Sequence, residues 1–135
     1  MKALLLSISV VNLLVQTVAT DDEIQRVVPV VRAIRKYCGD AIWLSIDTSS
    51  PEVMQAAFNE GADIWNDVRA LKRTGAAELA AELNIPVMLM HMRGEPTTMN
   101  NLAQYDDVID EVRTELIDRI NEVVSIGVKQ SNIII

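Results

Sequence analysis

Apolar runs that end abruptly in polar residues alternate along this chain with segments of helical spacing. The clearest run, Ala41–Ile46, has the length and β-branched content of a buried parallel strand, and it ends at Asp47. Asp63–Asp67 and Ile85–Met90 have the same form, and Asn132–Ile135 begins a further strand. Apolar positions recur every three or four residues in the segments that we predict to be helices: Thr20–Tyr37, Pro51–Asn59, Gly75–Leu83 and Tyr105–Ser125.

Residues typical of helix boundaries support these bounds. Thr20–Glu23 and Ser49–Glu52 have capping-box spacing, in which two side chains satisfy free backbone N–H groups, and Pro51 suits a first turn. Pro29 predicts a kink or a break in the first helix, because proline lacks an N–H and crowds the preceding turn. The expected helix ends are Gly39, Gly61, Asn84 and Gly127. The inward face of the last helix is predicted to carry Ile109, Val112, Leu116, Ile120 and Val123.

The alternation of strands and helices predicts an α/β domain with parallel strands and helices packed outside the sheet. A chain of 135 residues, half of them hydrophobic, is long enough for one such domain. The net charge of −7 argues against nucleic acid or an anionic membrane as a partner. Because Cys38 and His91 are the only residues of their types, no internal disulfide and no His/Cys metal site of ordinary ligand number can form. This composition fits a reducing compartment, and we predict a cytoplasmic location.

The first twenty residues allow several interpretations. A charged start, the apolar run Ala3–Thr20 and its small residues at the end are similar to a secretory signal peptide. A barrel strand followed by a loop, or a run with no native role, are the alternatives. Asn12 and Gln16 interrupt the run, which is also too short for a good transmembrane span.

Polar or soft side chains stand at the ends of three predicted strands, at Asp47, at Asn66-Asp67 and at Met90-His91. Parallel strands bring these ends to one edge of the sheet, about 4.8 Å apart from strand to strand. A carboxylate, an amide and a sulfur-lined wall can hold a flat heterocycle by its edge and face. We favour this interpretation for Asp47, because barrels bind ligands at the carboxyl ends of their strands.

Each candidate also has a purely structural interpretation. Asp47 can begin a turn, the Asn66 amide can bond to backbone, and Met90 can belong to the core. His91 can be a loop histidine that makes a structural bond. We expect Arg93 to be solvated, although an arginine near a pocket rim also suits an anion. Trp43 and Trp65 are expected to serve packing.

Several motifs in this order and spacing resemble dihydropteroate synthase: Ile46-Asp47-Thr48-Ser49 with Pro51-Glu52-Val53, Gly61-Ala62-Asp63-Ile64, Asn66-Asp67-Val68, Leu89–Gly94 with Pro96 and Thr98-Met99, and Tyr105–Val108. The resemblance covers Asp21–Ile135 and implies a partial (β/α)8 TIM barrel of the pterin-binding class. It implies a folate-biosynthesis transferase that condenses 6-hydroxymethyl-7,8-dihydropterin pyrophosphate with p-aminobenzoate and releases pyrophosphate.

The same resemblance implies roles for individual residues. Asp47, Asn66 and Met90 match the family's pterin-binding residues, and Asp47 would also stabilise the cationic pterin methylene left when pyrophosphate departs. Mg²⁺ is implied as a cofactor that balances the leaving pyrophosphate, although the strand and loop that help to hold it in the family have no counterpart here.

The resemblance also bears on the amino-terminal run, because the family's Thr-Arg loop for p-aminobenzoate should stand just before Asp21. With a suitable choice of codons, Ser7–Gln16 read one nucleotide out of frame spells Asp-Ile-Gly-Gly-Glu-Ser-Thr-Arg-Pro. We therefore predict that residues 1–20 are an aberrant or out-of-frame segment and that residues 21–135 are a partial pterin-binding barrel domain. Sequencing the gene in all frames checks this prediction.

Two other functions stay open at this point. The chain can be a non-catalytic fragment that binds pterin, or a relative that uses a folate-type pterin for corrinoid-dependent methyl transfer. The Leu89–Gly94 segment is more similar to the synthase. A partial barrel leaves strand edges unpaired, so we also predict self-association.

Overall fold

Strands and helices alternate through the part of the chain that the computed structural model describes, residues 4–9, 18–95 and 97–135. Residues 10–17 of the amino-terminal run and Pro96 lie outside the described residues. The strands are β1 Leu4–Ser9, β2 Ile42–Asp47, β3 Ile64–Asp67, β4 Val87–Leu89 and β5 Ile133–Ile134. The helices are α1 Thr20–Cys38, α2 Pro51–Asn59, α3 Ala76–Leu83, α4 Met99–Leu102 and α5 Val108–Ile126, with short 3₁₀ turns at Gly39–Ala41 and Gln130–Asn132.

All five strands form one parallel sheet in chain order, β1-β2-β3-β4-β5. Each neighbouring pair from β2 onwards is joined by a connection that contains at least one helix, as parallel pairing requires. The predicted α/β class is therefore confirmed, and the strand order is that of a partial barrel. None of the helices that the structure describes combines the length and the apolar character needed to cross a bilayer.

Strand β1 is an element that the predicted order omitted, since that order began with a helix. Leu4–Ser9 pairs with β2 over its whole length, from Leu4 opposite Ile42 to Ser9 opposite Asp47. Of the interpretations weighed for the amino-terminal run, a barrel strand therefore holds for these six residues. The out-of-frame origin of this segment concerns the gene and stays a prediction.

The residues predicted to end the helices are confirmed, whereas the capping boxes predicted at the helix starts are not. Gly39, Gly61 and Gly127 follow helices with positive φ values of 55°, 103° and 125°, and Asn84 adopts 52°. Helix α1 begins without a side-chain cap, because its N-cap residue is Ala19 and Thr20 already lies inside the helix. Glu23, which was expected in the capping box, accepts a hydrogen bond from Thr48 Oγ1. Helix α2 is capped one residue later than predicted.

The cap of α2 is Ser50, and its Oγ accepts from the backbone N–H of Val53 and donates to Glu52. The predicted break at Pro29 is absent, and α1 runs through it as one helix. Pro29 and Gln25, the residue whose carbonyl loses its partner, are both exposed, so water can hydrate that carbonyl.

The core lies on the helix-covered side of the sheet. Ile46, Trp65 and Val87 are register partners on successive strands, and all three are completely buried. They share one cluster with Val27 and Val31 of α1, Val53, Met54 and Ala57 of α2, and Val123 of α5. Because side chains alternate along a strand, the neighbouring residues Asp47, Asn66 and Met88 face the opposite side of the sheet.

Helix α5 departs from its predicted inward face. Val123 is buried, but Ile109 is 75% exposed, and Arg119 is buried within the apolar stripe. The exposed part of the stripe borders an apolar groove of about 480 Å³ that Ile135 also lines. The sequence pattern therefore identified an apolar face correctly but not how much of it this chain covers.

Candidate functional site

The site begins with two polar residues at matching positions of neighbouring strands. Asp47 is the last residue of β2, and its register partner on β3 is Asn66. Both are partly exposed, and both lie on the side of the sheet away from the buried residues Ile46 and Trp65. The structure thus brings together the carboxylate and the amide that the sequence placed at one edge.

The methionine that lies level with this pair is Met88, the register partner of Asn66 on β4. Met90 comes one residue beyond the end of β4 and is 47% exposed, so the core interpretation of Met90 is wrong. Side chains two residues apart along a strand point to the same side of the sheet, so Met90 is expected on the same side as Met88. Met88, which sequence reasoning passed over, is therefore a further candidate for the sulfur-lined wall.

Buried hydrogen bonds fix the turn that follows Asp47. The Trp65 indole Nε1 donates to the Thr48 carbonyl at 2.7 Å, and the backbone N–H of Thr48 donates to the carbonyl of Asn66 at 3.1 Å. The Thr48 hydroxyl donates to Glu23 at 2.6 Å, and both side chains are at most 5% exposed. Trp65 is a packing residue, as expected, but it also holds this turn; Trp43 is 39% exposed and is not part of the core.

Asp67 has a structural role, and its side chain lies away from the edge of the sheet where Asp47 and Asn66 meet. It is completely buried, and its carboxylate accepts from the Ser49 hydroxyl and from the backbone N–H groups of Arg69 and Leu71. The alternation of side chains along β3 separates it from Asn66, and this signal was available in the sequence. Asp67 therefore ties the loops after β2 and β3 together beneath the candidate site.

Arg69 extends this connection to a third loop. Its guanidinium donates to Glu95 through Nε at 3.1 Å and Nη2 at 2.8 Å, and to the Ser49 hydroxyl at 3.3 Å. The hydrogen bonds from Arg69 lower the pKa of Glu95 from its ordinary value of 4.5. The loops that follow β2, β3 and β4 are thereby linked to one another at the carboxyl-terminal edge of the sheet.

The loop after β4 is fastened to α5. His91 Nε2 and Glu115 Oε2 are 2.8 Å apart, which confirms the structural interpretation of His91. The expectation that Arg93 is solvated is wrong, because its guanidinium donates to Glu111, Glu115 and the Gln104 carbonyl and lies 4.1 Å from the centroid of the Tyr105 ring. The carboxylates that capture it come from a helix more than fifteen residues away in the chain, and sequence reasoning did not pair them.

This cluster predicts an acid-sensitive contribution to stability. Hydrogen bonds from Arg93 lower the pKa of Glu115 and of Glu111 from 4.5. A carboxylate with a lowered pKa stabilises the folded state above its unfolded pKa, and the contribution is lost as the pH falls through the folded pKa. Glu115→Gln should therefore lower the midpoint of thermal unfolding near neutral pH, and its difference from the parent chain should shrink towards about pH 3. Glu82→Gln, at an exposed position of α3, is the control; an equal, pH-independent loss in Glu115→Gln would contradict the assignment.

The Mg²⁺ that the resemblance implies stays a prediction. Within residues 4–9, 18–95 and 97–135, no group of three or more His, Cys, Asp or Glu side chains is arranged so that it can hold a metal ion. We therefore assign no chemical step to a metal held by these residues.

The family of this chain follows from comparison with known proteins. The pterin-binding enzyme family matches residues 9–135, almost the whole chain. The chain belongs to this family. The match includes the strand ends that carry Asp47 and Asn66, and it reaches Ser9 at the end of β1.

Within this family the chain is similar to dihydropteroate synthases. It is 42% identical over 118 residues to the dihydropteroate synthase of Escherichia coli (strain K12), which covers 87% of this chain and 41% of the E. coli protein. The dihydropteroate synthase of Yersinia pestis, solved with a sulfonamide drug complex, superposes with a TM-score of 0.87 and 34% identity, over 96% of this chain and 46% of that chain. The Xanthomonas albilineans enzyme in complex with 7,8-dihydropteroate gives a TM-score of 0.80 and 36% identity, over 96% and 45%. The chain thus spans about two fifths of the length of the curated relative.

Proposed function

We propose that this chain forms the pterin-recognising part of a dihydropteroate synthase site. The observation that carries the proposal is the pairing of Asp47 with Asn66 at the carboxyl ends of adjacent strands, in a chain of the pterin-binding family. A pterin ring presents N–H donors and acceptors on its edge, which a carboxylate and an amide can satisfy together. Met88 and Met90 supply polarisable surface beside the ring.

The reaction proposed for the site is the condensation of 6-hydroxymethyl-7,8-dihydropterin pyrophosphate with p-aminobenzoate. The bond between the pterin methylene and the pyrophosphate oxygen breaks, and the pyrophosphate leaves with the electron pair. The aromatic amine then forms a C–N bond to the methylene and loses a proton. The Asp47 carboxylate stabilises the positive charge that develops on the pterin methylene, because a negative group fixed near developing positive charge lowers the barrier.

Isothermal titration with the pterin pyrophosphate, followed by an assay for 7,8-dihydropteroate after addition of p-aminobenzoate, tests this function. We expect saturable, one-to-one pterin binding, and formation of 7,8-dihydropteroate would extend the proposal from recognition to catalysis by this chain. The absence of saturable pterin binding by folded chain would contradict the proposal. Methyl transfer from a methylated folate to a corrinoid would favour the methyltransferase alternative.

We also propose that the isolated chain self-associates. In the part of the chain that the structure describes, β1 and β5 each pair with a neighbour on one side only. Leu4 and Leu5 of β1 are at least half exposed, and the groove on α5 presents Ile109 and Ile117 to solvent. Exposed strand edges and large apolar patches both favour association.

Sedimentation velocity at several concentrations tests this association. We expect the apparent mass to rise with concentration and the rise to be reduced by Ile109→Glu combined with Ile117→Glu. The paired substitution Asp110→Ala and Asp118→Ala, at exposed positions of the same helix, is the control. A monomer at every concentration would contradict the proposal.

A further inference from the structure

The turn after β3 contains two consecutive residues in a conformation that side chains disfavour. Ala70 and Leu71 have φ values of 52° and 58°, in the left-handed region, and neither is glycine. Both are at most 2% exposed. Such backbone persists only where the surrounding structure holds it, and it is found most often at functional sites.

One side of this turn is held by Asp67 at the end of β3. The backbone N–H of Ala70 donates to the Asp67 carbonyl at 2.9 Å, and the N–H of Leu71 donates to Asp67 Oδ2 at 2.7 Å. The turn is therefore attached to the residue that directly follows Asn66, and a shift of Ala70 and Leu71 is transmitted to the end of β3.

The other side is held by an arginine from α5. Arg119 is only 8% exposed, and it donates through Nε to the Ala70 carbonyl and through Nη2 to the Leu71 carbonyl, both at 2.5 Å. Its remaining charge is balanced by Glu122, at 2.6 Å from Nη1. A guanidinium is a rigid fork that reaches two acceptors at once, whereas a lysine ammonium is a single point on a flexible chain.

We propose that Arg119 is a positioning residue for pterin recognition, and this inference rests on the proposed function. Arg119 does not belong to the rim, but by fixing the carbonyls of Ala70 and Leu71 it holds the turn that keeps the end of β3, and with it the Asn66 amide, in place beside Asp47. Helix α5 is thereby coupled to the site through one buried side chain, and this coupling is distinct from the Arg93 cluster at its amino-terminal half.

The test compares Arg119→Met with Arg113→Met, an exposed arginine of the same helix. Nuclear magnetic resonance of the ligand-free chain should show the Asn66 side-chain amide shifted in Arg119→Met and unchanged in Arg113→Met. Affinity for 6-hydroxymethyl-7,8-dihydropterin pyrophosphate, measured per folded molecule, should fall on the order of tenfold in Arg119→Met alone. If Arg119→Met loses its far-ultraviolet circular dichroism signal, Arg119→Lys, which keeps the charge and loses the fork, replaces it in both measurements.

A glycine substitution in the turn tests directly whether Arg119 acts by holding its left-handed backbone. Glycine adopts left-handed backbone without strain, so Ala70→Gly should lessen the need for the Arg119 brace and should restore part of the pterin affinity of the Arg119 variant. Leu71 is kept, because its buried side chain belongs to the core and its removal would open a cavity. An Asn66 signal that does not respond to the loss of Arg119, or an affinity per folded molecule that stays at the parent value, would overturn the proposal. If the parent chain does not bind the pterin, the proposed function is contradicted. The role of Arg119 in positioning Asn66 is still tested in that case, because the Asn66 signal is measured without ligand.

Discussion

Asp47→Asn should weaken binding of the pterin pyrophosphate by roughly 10- to 100-fold while leaving the fold intact. The substitution keeps the shape of the side chain and removes its charge, and hydrogen bonds to a charged group contribute about 1.5–3 kcal/mol. It also replaces an acceptor-only group by one that carries donors, which oppose the N–H donors of the ring. Isothermal titration of folded chain gives the affinity, and circular dichroism gives the folded fraction.

The matched control for this variant is Asp40→Asn. Asp40 is an exposed carboxylate in the 3₁₀ turn that precedes β2, at the opposite end of the strand from Asp47. Its substitution changes the net charge by the same amount and should leave the affinity unchanged. Equal affinities of the Asp47 variant, the Asp40 variant and the parent chain would remove Asp47 from the site.

Trp65→Ala should have the largest effect on stability. Trp65 is completely buried, and its indole donates to the Thr48 carbonyl. Truncating a buried tryptophan costs about 3–5 kcal/mol in free energy of unfolding, and the orphaned Thr48 carbonyl adds to that loss. Because domains are stable by only roughly 5–15 kcal/mol, a loss of this size removes a large part of the total free energy of unfolding.

The two tryptophans of the chain supply the comparison. Trp43 is 39% exposed, so Trp43→Ala should cost far less than Trp65→Ala in urea unfolding followed by circular dichroism. Trp65→Phe fills most of the space and loses only the hydrogen bond, so its loss should fall between the two. A Trp43→Ala variant that is destabilised as strongly as Trp65→Ala would contradict the placement of the core on the helix-covered side.

The relation of Asp47 to Asn66 could be predicted from the sequence because it depends on local pattern and topology alone. Two apolar runs, one followed by Asp47 and the other by Asn66, indicate where two strands end. Because strands that alternate with helices are parallel, their carboxyl ends lie side by side at one edge of the sheet. Gly39 and Gly127 ended their helices for an equally local reason, since glycine adopts the conformation that follows a last turn.

The remaining features depend on contacts between distant parts of the chain. Glu23 has the spacing of a capping residue, but the Thr48 hydroxyl, 25 residues later, captures its carboxylate. Arg93 looks solvated until α5 brings Glu111 and Glu115 to it. Arg119 stands between Leu116 and Val123 on the apolar face of α5, and this was a sign of burial, but its partners at Ala70 and Leu71 are 49 and 48 residues away.

Residue-resolved nuclear magnetic resonance of the ¹⁵N-labelled chain, titrated with 6-hydroxymethyl-7,8-dihydropterin pyrophosphate, tests the central claim most directly. We expect saturable shift changes that are largest at Asp47, Asn66 and Met88, the three neighbours on one side of the sheet. Saturable changes confined to the groove on α5, or no changes in a chain shown to be folded, would contradict it.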